Sequence, residues 1–387
     1  MKKLILILFI TILSGCSSNN NSTTDSSYSG LLANYFTAFN AKPSLKNISE
    51  NFIYNNYLSL QTSIDSLKTL TTNLSDSCGG DSTKLTELQT SWKSAYATLK
   101  KVEIVQFGPS ASYSTIDAWP LNYLTNPPNT SSIETTISGS DTISETTLTA
   151  KSDSENGFGT IEYLLFTNNS GATDAATICG TLTGRRKTYL QEATKLLYTR
   201  VARIKYNWDP SNSGNFSTIL QTAGPTNEFY KSDKEALDNL IKQIVTIVEV
   251  IKDYKVGYPA GLSSTSGGTV RSSNIESRYA NQSILNIQYN LEGIQLYYIG
   301  NSNGPGIADY VDYYNPSLDI RIKEKITATI NKSKEISNLK TEIDSGSLTK
   351  IRELITLLND LKIIFSVELA GNLGSTFSPG LGDGDGD

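Results

Sequence analysis

The stretch "GFGTIEYLLF" at residues 157–166 sets one carboxylate, Glu162, inside an apolar run, three positions after Gly159 and five after Gly157. On a helix, positions 159 and 162 share a face, so the residue at 159 meets the same surroundings as the acid. A carboxylate in that setting can take a ligand, move a proton, or be a buried acid held by arginine or backbone amides. Arg185 and Arg278 are the candidate partners, because a guanidinium fork suits a carboxylate. Trp119, beside Pro120 in a proline-rich irregular stretch, is either loop packing or a binding platform.

The chain of 387 residues has no histidine. That excludes Ser-His-Asp and Cys-His catalysis, the HExxH zinc helix and histidine-ligated haem from this chain's own residues. Acid–base or metal chemistry must use carboxylates, lysines, backbone or the 21 tyrosines. The ending "GDGDGD" places Asp383, Asp385 and Asp387 on alternate positions, like the first half of a calcium loop whose remaining ligands are missing. It reads as solvated acid or as weak calcium binding. No cofactor is demanded by any motif, and iron and calcium are the ions under consideration. A net charge of −5 gives no basic footprint, so nucleic acid is not expected as a partner.

The N-terminus carries two lysines, an apolar run from Leu4 to Leu13, and then Leu13-Ser14-Gly15-Cys16. The run is too short to cross a bilayer and reads as a signal peptide, residues 1–15, ending in a lipobox. Lipidation at Cys16 would make the membrane a partner, with Ser17 favouring the outer membrane of a bacterial envelope. Residues 16–30 are polar and low in complexity, a tether. Cys78 and Cys179 are the remaining cysteines, and in an exported chain an even pair is most simply a disulfide.

What positions these residues is helical. Ile48, Phe52, Tyr57, Leu60, Ile64, Leu67 and Leu70 recur at helical spacing, as do Leu85, Leu88, Trp92, Tyr96, Leu99 and Val102. "SDSCGGDS" between them predicts an αα-hairpin. Residues 130–156 are rich in Ser and Thr and read as a long connection. Further helices are expected over 184–208, from Ser232 with a Ser232/Glu235 capping box, over 276–300, and as a final hairpin of 317–343 and 348–370. The fold class is therefore all-α, two packed antiparallel helical bundles over 31–210 and 211–373, followed by the acidic tail 374–387. Four long helices in each half admit an internal duplication, although no sequence repeat marks one.

"GFGTIEYLLF" resembles the GxHxxE signature of the imelysin family, exported proteins once classed as insulin-cleaving peptidases and linked to iron-regulated uptake. "FGP" at 107–109, "WP" at 119–120, "ESRYANQSILNIQYNLEGIQLYYIG" at 276–300 and the ending "GDGDGD" agree in order. The resemblance implies two related bundles with the signature near their interface. Gly157 then matches the first glycine, Glu162 the glutamate, and Gly159 stands where the family has histidine. A site needing a lone pair at that position has lost it. The expectation is a lipid-anchored binding protein without catalysis, taking an iron-related or other small ligand or an envelope protein. The alternatives are a metallopeptidase-like enzyme using carboxylates, and a structural or protein-interaction lipoprotein.

Overall fold

In the computed structural model, residues 39–120 and 122–375 are described. The signal peptide, Cys16, the whole tether and the three tail aspartates lie outside the described residues.

Helix α1, residues 42–72, starts on Pro43 in its first turn and runs through one π-helical stretch, Asn47–Tyr54. The left-handed residues Ser77, Cys78 and Gly79 turn the chain back into α2, Thr83–Val102. The two form the expected hairpin, burying Leu60, Ile64 and Leu67 on one side and Leu85, Leu88, Trp92 and Leu99 on the other. Both pack with the later helices α5, Gly157–Phe166, and α7, Gly184–Trp208, as α1 with α7, α2 with α5 and α5 with α7.

Between α2 and α5 the expected long connection is partly helical: α3, Thr130–Ser138, and α4, Glu145–Thr149, are short helices. Their start signals were in the sequence. Asn129 accepts from Ser132 N, and Ser144 exchanges hydrogen bonds with Thr147 in a capping box. Ser and Thr content masked them, because these residues favour caps more than helix interiors. Helix α6, Ala175–Thr181, carries Cys179, which is joined by a disulfide to Cys78 in the α1–α2 turn, with Cα atoms 5.4 Å apart.

The second half contains α8, Phe216–Gln221, and α9, residues 233–260, which begins at the N-cap Ser232. Ser232 Oγ accepts from Glu235 N, but the Glu235 carboxylate accepts from Lys231 N instead of Ser232 N, so half of the expected capping box is present. The next helix, α10, covers Ser283–Ile299 only, because residues 276–282 form turns with Ser277 and Asn281 at positive φ. A two-residue ladder of β1, Gly300–Asn301, and β2, Gly304–Pro305, follows. The chain continues through α11, Ala308–Tyr314, and α12, Pro316–Lys334. The expected 317–343 helix is broken there: Asn338 caps a separate α13, Leu339–Asp344, before α14, residues 349–373.

Helices α9, α10, α12 and α14 pack as the second bundle, and α10 lies against α2 of the first. That contact is a close backbone approach. A Cβ on Gly293 would stand 2.2 Å from Lys101 O, so only glycine fits where the bundles meet. The all-α, two-bundle architecture holds; a duplication is not confirmed by the described residues.

Candidate functional site

Helix α5 is set by its first glycine. Gly157 has φ +75°, and an added Cβ would lie 2.6 Å from Ile116 O, which already accepts from Phe158 N at 2.9 Å. The start of the helix is thereby pressed against the segment Ile116–Trp119. One turn on, Glu162 is 4% exposed. Its Oε1 accepts from Tyr279 N at 2.9 Å and Ala280 N at 2.8 Å. The two amides point together because Ser277 and Asn281, on either side, take left-handed conformations, an arrangement that makes an anion-holding concavity.

Neither expected arginine closes on Glu162. Arg185 instead donates to Thr136 O, Ile137 O and Asp141 O, the carbonyls at and beyond the end of α3 that have no partner within the helix. Arg278 donates to Asn126 Oδ1 and Pro127 O at 2.8 Å and to Tyr279 Oη at 3.0 Å, and acts on Glu162 only through its field. Burial therefore dominates. It pushes the Glu162 carboxyl up to about 7, against the opposing pull of the Ala280 and Tyr279 amides and Arg278.

Glu162, Gly159, Trp119, Asp117, Tyr96 and Ser277 line one small cavity. Its volume of 10 Å³ for the centre of a water corresponds to about one molecule. Trp119 is 4% exposed and packs with Tyr123 and Tyr258, yet its Nε1–H has no acceptor among the described residues. A buried indole donor left this way costs free energy. Gly159 adds only space: a Cβ there would rest at 3.6 Å from Pro128 Cδ, an ordinary contact. The cavity shares Pro128, Asp153 and Ser154 with a wider depression of 730 Å³ that opens on the surface and includes Arg278.

Beside the cavity lies a set of residues that sequence reasoning passed over. Lys100 Nζ donates to Asp117 Oδ2 at 2.5 Å and Glu276 Oε1 at 2.7 Å, and lies 3.0 Å from Glu103 Oε2. Lys255 Nζ donates to Glu103 Oε2 at 2.8 Å, Glu276 Oε2 at 3.2 Å and Asn290 Oδ1 at 2.9 Å. All five charged side chains are at most 1% exposed. Burial opposes charge on Lys100, but Asp117, Glu103 and Glu276 outweigh it and hold its pKa well above the ordinary lysine range. For Glu103, burial is likewise outweighed by Lys100 and Lys255, which draw its pKa down. The signal was there to be found: Glu103 and Lys255 each fall four positions after an apolar stripe residue, Leu99 and Ile251, where the helix pattern calls for another apolar side chain.

A metal in the cavity would meet Glu162, Asp117 and Asp153, the last of which accepts from Ser114 Oγ at 2.9 Å. Asp117 is already bound to Lys100 through Oδ2 and accepts from Trp119 N at 3.3 Å through Oδ1. Among the described residues no group of three or more His, Cys, Asp or Glu side chains converges as a metal site. The donor set does not fit a protein-only iron or calcium centre.

A family model described as Imelysin, of the M75 peptidase class, matches residues 53–362. The chain belongs to the imelysin family. Two solved structures share the fold. One is an imelysin-like protein from Psychrobacter arcticum 273-4, 18% identical, with TM-score 0.65, covering 87% of this chain and 96% of that one. The other is a candidate iron-regulated protein A precursor from Parabacteroides distasonis ATCC 8503, 15% identical, with TM-score 0.69, covering 87% and 95%. No curated protein matches. Within the family frame, Gly157 has a backbone role, Glu162 and Gly159 wall the cavity, and Arg278 stands at its outer rim.

Proposed function

We propose that this imelysin captures a small ligand at the Glu162 cavity and carries out no covalent chemistry on it. The observation that carries the reading is that Trp119, whose buried Nε1–H has no acceptor among the described residues, lines the same cavity as a buried carboxylate held by amides and not by an ion pair. Such a pair lowers its free energy when a partner enters. Against an enzyme stand the glycine at 159, the lack of histidine and the engagement of Asp117, Glu103 and Glu276 by ammonium groups. A hydrolytic base or a carboxylate metal cage would need those oxygens free.

We place the protein at the bacterial envelope, anchored through Cys16, on the strength of the lipobox. The iron connection rests on the name of one structural neighbour, a candidate iron-regulated protein A precursor. Titration of the protein with ferric citrate and with neutral small molecules, read by 15N-indole NMR, tests the capture reading. Binding that moves the Trp119 signal and is lost in Glu162→Ala supports it; peptidase activity abolished by the same substitution would overturn it.

A further inference from the structure

The inner cavity and the outer depression differ in size by enough to define a ligand shape. The inner space admits one water-sized group, whereas 730 Å³ outside falls in the range of small-molecule sites. A ligand spanning both would insert one small polar group and leave a larger body outside.

The inner wall specifies that group. Trp119 Nε1 needs an acceptor, and the Glu162 carboxylate, with Asp117 nearby, disfavours an anion. An ammonium could pair with the acid but could not accept from the indole. A hydroxyl does both, taking a hydrogen bond on oxygen and giving one from its own proton.

The outer wall agrees. Its two charged residues are already engaged, Arg278 with Asn126 and Pro127, and Asp153 with Ser114 Oγ at 2.9 Å. Apart from Pro128 the rest is neutral amide and hydroxyl, including Ser131 and also Asn122, Thr125 and Ser152, which bond to neighbouring groups as well. Arg278 and Asp153 keep opposite charges that balance, so the surface as a whole favours neither sign, and its amides and hydroxyls offer donors and acceptors to many hydroxyls at once.

Resting on the capture reading above, we infer that the ligand is a neutral polyhydroxylated molecule of the saccharide class. One hydroxyl enters between Trp119 Nε1 and Glu162, and the ring occupies the outer depression. The other two tryptophans make the test clean, because Trp92 Nε1 donates to Phe158 O and Trp208 Nε1 to Ser110 Oγ.

The experiment titrates the 15N-tryptophan-labelled full chain with glucose, N-acetylglucosamine, maltose and lactose, and in parallel with ferric citrate and inorganic phosphate. At least one saccharide is expected to move the Trp119 indole N–H signal and leave those of Trp92 and Trp208 in place. Trp119→Phe, which removes the donor and keeps a smaller aromatic ring, is expected to weaken that binding about tenfold. Ser131→Trp, which fills the outer depression and spares the cavity, is expected to weaken it more. If ferric citrate or phosphate moves the Trp119 signal and no saccharide does, the ligand class is overturned and capture at this site stands. If saccharide affinity is unchanged in Trp119→Phe, or in a Ser131→Trp variant that retains the wild-type spectrum elsewhere, the docking mode is overturned. If no probe moves the Trp119 signal, both the class and the capture reading fall.

Discussion

Glu162 and the Lys100–Lys255 cluster are neighbours that bury carboxylates in opposite ways. In the cluster, three acids are matched by two ammonium groups, and Glu103 is held ionised well below the ordinary carboxylate range. At Glu162, two backbone amides meet one oxygen, the nearest arginine is turned to other acceptors, and the acid is pushed up to about 7. The first arrangement satisfies charge with charge and holds the bundles together: Lys100, Glu103 and Asp117 come from one half, Lys255 and Glu276 from the other. The second leaves the acid close to its protonation midpoint at neutral pH, beside an unpaired donor. A buried carboxylate paired directly with ammonium groups is framework; one held only by dipoles is available to a ligand.

Removing one partner from the cluster should have the largest effect. Lys255→Met strands Glu103 and Glu276 with a single shared ammonium, and a loss of about 3–5 kcal/mol in urea unfolding is expected. A cost below that of any Glu162 substitution would erase the distinction between the two regions.

The second prediction concerns pH. The folded-state pKa of Glu162 lies above its ordinary 4.5, so the folded chain holds the proton longer than the unfolded one. This group's contribution is fully present below about pH 4.5 and is lost as pH rises through about 7, a change of about 3 kcal/mol. Glu103, with a lowered pKa, contributes in the other direction, and its share is lost on acidification. Denaturation of Glu162→Gln between pH 5 and 8 should therefore show a flatter profile than wild type; an unchanged slope would mean that Glu162 is ionised throughout.

Arg278→Ala should sharpen the contrast further. It removes a cation that favours the ionised acid from a distance, so the Glu162 midpoint, followed by 13C NMR of the carboxyl, is expected to move up while Glu103 stays where it is. The smallest effect belongs to Gly159→Ala. A Cβ there makes only ordinary contact, and alanine is favoured over glycine within a helix, so a gain of roughly 0.5–1 kcal/mol is expected in thermal unfolding.

Much of this was legible in the chain itself. The α1–α2 hairpin, α7 and the start of α9 followed from apolar spacing and from caps such as Ser232. The short helices α3 and α4 were hidden by Ser and Thr, whose caps are local hydrogen bonds that composition does not reveal. Glu162 and Trp119, each singled out separately in the sequence, line one cavity, whereas Arg185 and Arg278 hydrogen-bond other acceptors than Glu162. A guanidinium has many competing acceptors, and Arg185 found the bare carbonyls of a helix end. The amides of Tyr279 and Ala280 carry no side-chain signature, so sequence alone could not name them.

Those amides have a consequence for chain length. Glu276 sends its side chain into the ion cluster, and four residues later Ala280 N reaches Glu162. Surface loops ordinarily accept an inserted or deleted residue at little cost. Here a single-residue change between positions 276 and 280 would put one set of bonds out of register whichever set it kept. This irregular segment, with no helix or strand of its own, is therefore intolerant of a frame-preserving indel.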